Sequence, residues 1–265
     1  MDRYSSIAED MCRYPGAARD CRGPIKPLTQ PYIALLDSRA VSSADSAALM
    51  DGIEDRTHDV CIDLSAPHSG PDAILGDPGL LEIARQADAV VLTVPGAHQL
   101  SNPYYRVHKW RNDRIIGQQD RLRALYPEIE FERHHFVRHL LEDLYAVSPG
   151  RFAVVRETLQ RTWLERMGIL ISQLGKPVVL LWIGERRPDE ECDTVHDGDP
   201  PFVTKAMAAS LSVAERTEVV VRPKSPLRFK GRISPEEVQD IAAERVARCL
   251  SRLRLREGGG HRRSA

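Results

Sequence analysis

Several features that would assign a function quickly are scarce in this chain. Five cysteines (Cys12, Cys21, Cys61, Cys192 and Cys249) are odd in number and form no C-x-x-C pair, which argues against a disulfide framework or a structural zinc site. Neither sign of charge is in excess: Lys+Arg total 37 and Asp+Glu 38, for a net charge of −1. That balance removes the whole-chain electrostatic case for nucleic acid or an anionic membrane, and neither is expected as a partner. The longest apolar runs, residues 89–94 (AVVLTV) and 178–183 (VVLLWI), fall well short of a membrane span. The first residues, MDRYSSIAEDM, carry charge where a secretion signal needs an apolar stretch. A reduced, cytoplasmic protein is the expectation. G-x-x-x-x-G-K-[ST] is absent, and so is G-x-G-x-x-G after a strand, so two nucleotide-binding folds lose their main support and no cofactor is expected.

What the chain does contain is a regular alternation of elements. Residues 1–31 hold Pro15, Gly16, Gly23, Pro24, Pro27 and Pro31 without a sustained period, and read as an irregular arm. Short apolar runs at 32–36 (YIALL), 60–64 (VCIDL), 89–94, 177–183 and 217–221 (TEVVV) suit buried strands. Helical patterns fall between them at 43–51, 78–86, 113–125, 131–146, 149–174 and 201–211. In the longest, Phe152, Val155, Leu159, Trp163, Met167, Leu170 and Leu174 recur every three or four residues, a stripe that faces a core. Ser234-Pro235-Glu236-Glu237 has the capping-box spacing and opens a last helix.

This alternation predicts an α/β three-layer sandwich. Its sheet has five parallel strands in the order 2-1-3-4-5, with right-handed crossovers. One domain is expected over residues 32–256, with a disordered tail at 257–265. Ligands of such sheets bind beyond the carboxyl ends of the strands, so the informative loops begin at Asp37, Ser65, Pro95, Gly184 and Arg222.

Those loops carry candidate chemistry. Asp37-Ser38 is either a polar helix start or a strand-to-helix turn that presents a hydroxyl at the sheet edge. Ser69-Gly70 is either a turn or a place where backbone approaches a ligand. The connection PGAHQLSNPYYRVHKWRND packs Gly96, His98, Asn102, Tyr105, His108, Arg111 and Asn112 into one stretch. Donors mixed with aromatic faces suit a sugar, nucleotide or polar ester, although arginines and aspartates also tie long loops down. His135 and His139, four apart in a helical pattern, have the spacing for a metal, but no third ligand stands out.

These loops, taken in order, resemble the blocks of the SGNH (GDSL) hydrolase superfamily. Asp37-Ser38 is similar to its GDS block, with Leu36 in the glycine position. Gly70 stands where the second-block glycine falls, and Gly96-Ala97-His98-Gln99 where G-x-N-D falls, with His98 in the asparagine position and Asn102 nearby. Lys230-Gly231-Arg232-Ile233 aligns with the final D-G-x-H block and lacks both its acid and its histidine. Residues 60–185 are also similar to an uncharacterised bacterial family related to those hydrolases. The resemblance implies a flavodoxin-like sheet and two alternative functions. In one, an ester such as an O-acyl group on a carbohydrate is hydrolysed, with Ser38 as nucleophile, His98 or His196 (in Asp193-x-x-His196) as base, and the Gly70 amide and Asn102 as oxyanion donors. In the other, the pocket persists in a non-catalytic binding protein. Either way the expected partner is a polar small molecule or carbohydrate ester. Ser38, Gly70, His98 and Asn102 are expected to meet in one cleft.

Overall fold

The structure, a computed structural model, describes residues 11–39, 43–221 and 234–260. Its centre is a five-stranded sheet of β3 (Tyr32–Leu36), β4 (Val60–Asp63), β5 (Ala89–Thr93), β8 (Val178–Gly184) and β9 (Glu215–Val220), in the spatial order β4-β3-β5-β8-β9. All four pairings are parallel; Ile33 lies opposite Cys61 on one side and Ala89 on the other. Counted along the chain, the order is the expected 2-1-3-4-5.

Alternate residues of each strand feed opposite faces, because successive side chains of a strand point to opposite sides. Ile33, Leu35, Val91, Val179, Leu181 and Ile183 pack beneath α1 (Ser43–Thr57) and α8 (Pro235–Gly260), which supply Leu49, Met50, Ile53, Val238, Ala242, Val246 and Leu250. Ala34, Leu36, Val90, Leu92, Leu180 and Trp182 face the other layer. That layer includes α2 (Pro71–Leu75), α3 (Pro78–Gln86), α5 (Val137–Val147) and α6 (Pro149–Leu174). The expected stripe of α6 is buried from Phe152 to Leu174, and Ser148 Oγ accepts from Arg151 N–H at its start. Trp163 Nε1 donates to the Pro95 carbonyl at 2.9 Å, which fixes α6 to the turn after β5. The remaining helices are α4 (Asp120–Leu125) and α7 (Lys205–Ser210). Among the described residues, no helix is long and apolar enough to cross a membrane.

Four segments differ from the sequence expectation, the last of them the tail, where α8 continues to Gly260 into the stretch expected to be disordered from 257. The arm contains a two-residue hairpin, β1 (Met11–Cys12) with β2 (Cys21–Arg22). Residues 113–125 are not one helix: β6 (Tyr105–Val107) pairs antiparallel with β7 (Ile115–Gln118), and α4 starts only at Asp120. The β-branched pair Ile115-Ile116 and Gly117 favour a strand once a partner is present, and tertiary pairing overrides a short helical pattern. The 131–146 segment is likewise broken. Phe131–Arg133 forms one 3-10 turn, then residues 134–136 run extended beside 113–115, with Ile115 N–H donating to the His135 carbonyl. His135 therefore precedes α5, and the helical face that would have held it four residues from His139 does not form. His134 is the histidine with a carboxylate neighbour there, 2.8 Å from Asp143. Among the described residues, no group of three or more His, Cys, Asp or Glu is placed to hold a metal ion.

Candidate functional site

A cleft of about 450 Å3 opens at the carboxyl ends of β3, β5 and β8, with Val94 and Pro95, Ile183 and Gly184 in its floor. Its position follows from the parallel topology, in which the turns after the strands gather along one sheet edge. Ser38 and Arg39 enter from the turn after β3, His68 from the turn after β4, and Gly96, His98 and Gln99 from the turn after β5. Arg138 comes from α5, Glu185, Asp199, Pro200 and Pro201 from beyond β8, and Pro235, Val238 and Gln239 from the first turns of α8.

The turn carrying Ser38 is held by its neighbours. Asp37 N–H donates to Ser65 Oγ at 2.7 Å, and Ser38 N–H to Thr93 Oγ1 at 3.3 Å. Asp37 is buried, and its carboxylate accepts from Thr93 Oγ1 and from the Arg39 backbone and guanidinium, the closest contact being 2.7 Å from Nη2. Burial raises the Asp37 pKa, but the charge and hydrogen bonds of Arg39, joined by Arg22, outweigh it and the net shift is downward. Asp37 is thus an ionised partner of Arg39. The Ser38 hydroxyl makes no hydrogen bond among the described residues.

His98 is 5% exposed. Its ring lies on Gly96, where a Cβ would stand 2.6 Å from His98 Nδ1 and 2.8 Å from Pro201 Cδ, so a glycine is needed for that approach. On another side Phe202 meets the ring edge-on, with centroids 6.5 Å apart. Burial, then the positive Arg138, then His68, push the His98 pKa down to about 3. The imidazole is neutral, and among the described residues its Nδ1 has no hydrogen-bond partner and no hydrogen bond joins it to Ser38. His68 is half-buried, and burial lowers its pKa as well, against the pull of Asp113. His68 Nδ1 lies 3.5 Å from Gln99 Nε2.

Of the residues anticipated from sequence, Ser38, Gly96 and His98 line this cleft; Asp37 sits behind it. Gly70 and Asn102 do not join them. The Gly70 amide donates to Asn112 Oδ1 at 2.8 Å. Asn102 closes its own turn: its Oδ1 accepts from Tyr104 and Tyr105 N–H, and its Nδ2 donates to the Leu100 carbonyl. The dense polar loop largely satisfies itself. Tyr105, fully buried, donates its hydroxyl to the His98 carbonyl at 2.6 Å. His108 Nδ1 accepts from Trp110 and Arg111 N–H, Arg111 pairs with Asp113, and Asn112 Nδ2 donates to the His108 carbonyl. His196 is on the surface, its side chain 68% exposed, against Glu142 at 3.2 Å. Asp193 is paired with Arg156, so the Asp193-x-x-His196 spacing does not assemble a couple. The block at residues 230–233 lies outside the described residues.

His68, Arg138 and Gln239 were not anticipated, and Gln99 was named only as part of the polar connection and the Gly96-Ala97-His98-Gln99 block. His68 and Gln99 adjoin residues that were anticipated, one before Ser69-Gly70 and one after His98. Arg138 and Gln239 sit on helices, and only topology brings them to this edge. The first turn of α8 must lie there, because each helix after a parallel strand starts near the carboxyl end of the sheet.

Among curated proteins nothing matches the chain. Among solved structures, a lipase, Lip_vut3 from a goat rumen metagenome, aligns at 12% identity with a TM-score of 0.41, covering 83% of this chain and 97% of the lipase chain. The family described as a domain of unknown function, DUF6473, matches residues 2–253, and the chain belongs to it.

Proposed function

We propose that the protein binds a polar, hydroxyl-rich small molecule in this cleft, and that serine-hydrolase chemistry there is weak or absent. The carrying observation is the state of His98: it shares the cleft with Ser38, but among the described residues it is hydrogen-bonded neither to Ser38 nor to any carboxylate. Serine is a poor nucleophile until a neighbouring base takes its proton, and the imidazolium so formed needs a stabilising partner. A base works best with a pKa near the operating pH. His98, with a pKa of about 3 and Arg138 as its charged neighbour, is far from that. The anticipated oxyanion donors at Gly70 and Asn102 are engaged elsewhere. The polar walls remain, and a mostly preformed concavity with a few convergent polar groups is how small-molecule sites are built.

One observation favours ester hydrolysis as a second reading: Ser38 lines the same cleft as a neutral imidazole, and its hydroxyl makes no hydrogen bond among the described residues. An SGNH-like esterase acting on O-acyl carbohydrate would use that pair. Short p-nitrophenyl esters, assayed with wild type and Ser38→Ala, separate the readings. Binding without chemistry predicts no Ser38-dependent turnover. Calorimetric and thermal-shift titration with methyl glucoside, methyl galactoside and myo-inositol is expected to show saturable binding. Ordinary enzymatic turnover lost in Ser38→Ala, or no response to any polyol, would overturn the proposal.

A further inference from the structure

Gln239 occupies a position where the helix pattern calls for an apolar residue. On α8, Val238, Ala242, Ala243, Val246, Cys249 and Leu250 form the buried stripe, and Gln239 lies three and four residues before Ala242 and Ala243. Glutamine is seldom fully buried, yet Gln239 is 3% exposed, and its Oε1 is closed off from solvent without a hydrogen-bond partner among the described residues. A buried acceptor left unpaired destabilises the fold, so native proteins hold few of them. Two residues that line this cleft carry such a closed-off, unpaired atom: Gln239 Oε1 and His98 Nδ1, the latter an acceptor in the Nε2–H tautomer. They come from opposite layers: α8 covers one face of the sheet, and the His98 ring packs toward Phe202 on the other.

We propose that Gln239 and His98 are the cleft's recognition pair, which accept hydrogen bonds from two hydroxyl groups of a sugar or polyol. This rests on the binding reading of the preceding section and names its ligand chemistry. Two unpaired acceptors disfavour a carboxylate or phosphate, whose oxygens are acceptors too. An ammonium group brings donors and meets Asp45, Glu185 and Asp199 as well as Arg39 and Arg138 on the same walls, but it offers no acceptor to the arginines. Hydroxyls both donate and accept, and so match the acceptors together with the donors of Arg138 and Gln99. Both atoms are shut off from solvent, so binding turns these side chains toward the ligand, a common adjustment on complex formation. The unpaired acceptor is then satisfied only when ligand is present, and a local break in the helix pattern of this kind is expected at functional positions.

The test compares wild type with Gln239→Leu and Gln239→Met, two apolar residues of similar volume. Without ligand, both variants should unfold at a higher temperature, by roughly 2–4 °C, because they remove an unsatisfied group. Titrated with methyl glucoside, methyl galactoside and myo-inositol, they should bind roughly three- to tenfold more weakly than wild type, the share of one hydrogen bond. Lower melting in both variants would show that Oε1 is satisfied in the free protein and overturn the inference. Raised melting with unchanged affinity would also overturn it, while leaving the binding reading intact. If wild type binds none of the three polyols, the binding reading fails and takes this inference with it.

Discussion

His98 should impose a measurable pH dependence on stability, and its size follows from the site. The ring titrates at about 3 in the folded protein against 6.5 when exposed. Above pH 6.5 neither state holds the proton, and the group contributes no slope. Between 6.5 and 3 the unfolded chain binds a proton that the folded chain refuses, so stability falls as pH falls. Below 3 both bind it, and the loss stops growing. At pH 5 the unfolded ring favours its proton about thirtyfold while the folded ring is almost wholly neutral, which costs about 2 kcal/mol relative to pH 8. With a urea slope of about 3 kcal/mol per molar, the unfolding midpoint drops by about 0.7 M from this group alone. His98→Asn keeps a polar planar group but cannot gain the proton. Asp37 and the other carboxylates titrate in both proteins and cancel in the difference. Urea unfolding at pH 8 and pH 5 should therefore show a steeper loss in wild type than in His98→Asn, by about 2 kcal/mol. Parallel losses would mean that His98 accepts its proton in the folded state, and the argument against it as a buried neutral group would fail.

Other perturbations test the scaffold around the cleft. Asn112→Ala leaves the Gly70 N–H and the His108 carbonyl without their partner and should cost about 1–3 kcal/mol in chemical unfolding, with little change in polyol affinity. A large affinity loss would restore a direct role to the loop at 95–113. Gly184→Ala drives a methyl into the Asp199 carbonyl oxygen, backbone against backbone, and should destabilise by about 1–3 kcal/mol and deform the cleft floor; unchanged melting would refute that approach. Trp163→Phe removes the donor to the Pro95 carbonyl and part of a fully buried ring; a loss of about 2–4 kcal/mol is expected from thermal or urea unfolding.

The sheet was legible because its inner strands are buried on both faces, and a run such as YIALL at 32–36 has no use outside such a setting. The long helix α6 announced itself through a stripe, a cap at Ser148 and a stop at Gly175. The β6–β7 hairpin did not, because three- and four-residue strands carry too short a pattern and depend on a partner elsewhere in the chain. Ser38, Gly96 and His98 were legible from the rule that places ligands beyond the strand ends. Asn102, Tyr105, His108, Arg111 and Asn112 looked functional for a reason with a different physical origin: a long connection must satisfy its own backbone, and polar side chains do that here. Gln239 was invisible because a glutamine early in a helix is unremarkable until its neighbours bury it.

A hydrolytic site and a binding site ask opposite things of His98. To draw a proton from Ser38 the ring must become an imidazolium, which needs a nearby carboxylate and access to solvent or a compensating dipole. The acid beside Ser38 in the chain, Asp37, is already committed to Arg39, and the groups whose charge acts on the ring are Arg138 and His68. Each of these features raises the cost of the imidazolium. The same features keep one ring nitrogen unprotonated across the physiological range, as a hydrogen-bond acceptor from a ligand requires. Deep burial sharpens the contrast, since low local dielectric penalises an uncompensated charge while strengthening a hydrogen bond to a neutral group. On the reading proposed for this cleft, the electrostatics around His98 weigh against nucleophilic catalysis and suit recognition of neutral, hydroxylated molecules.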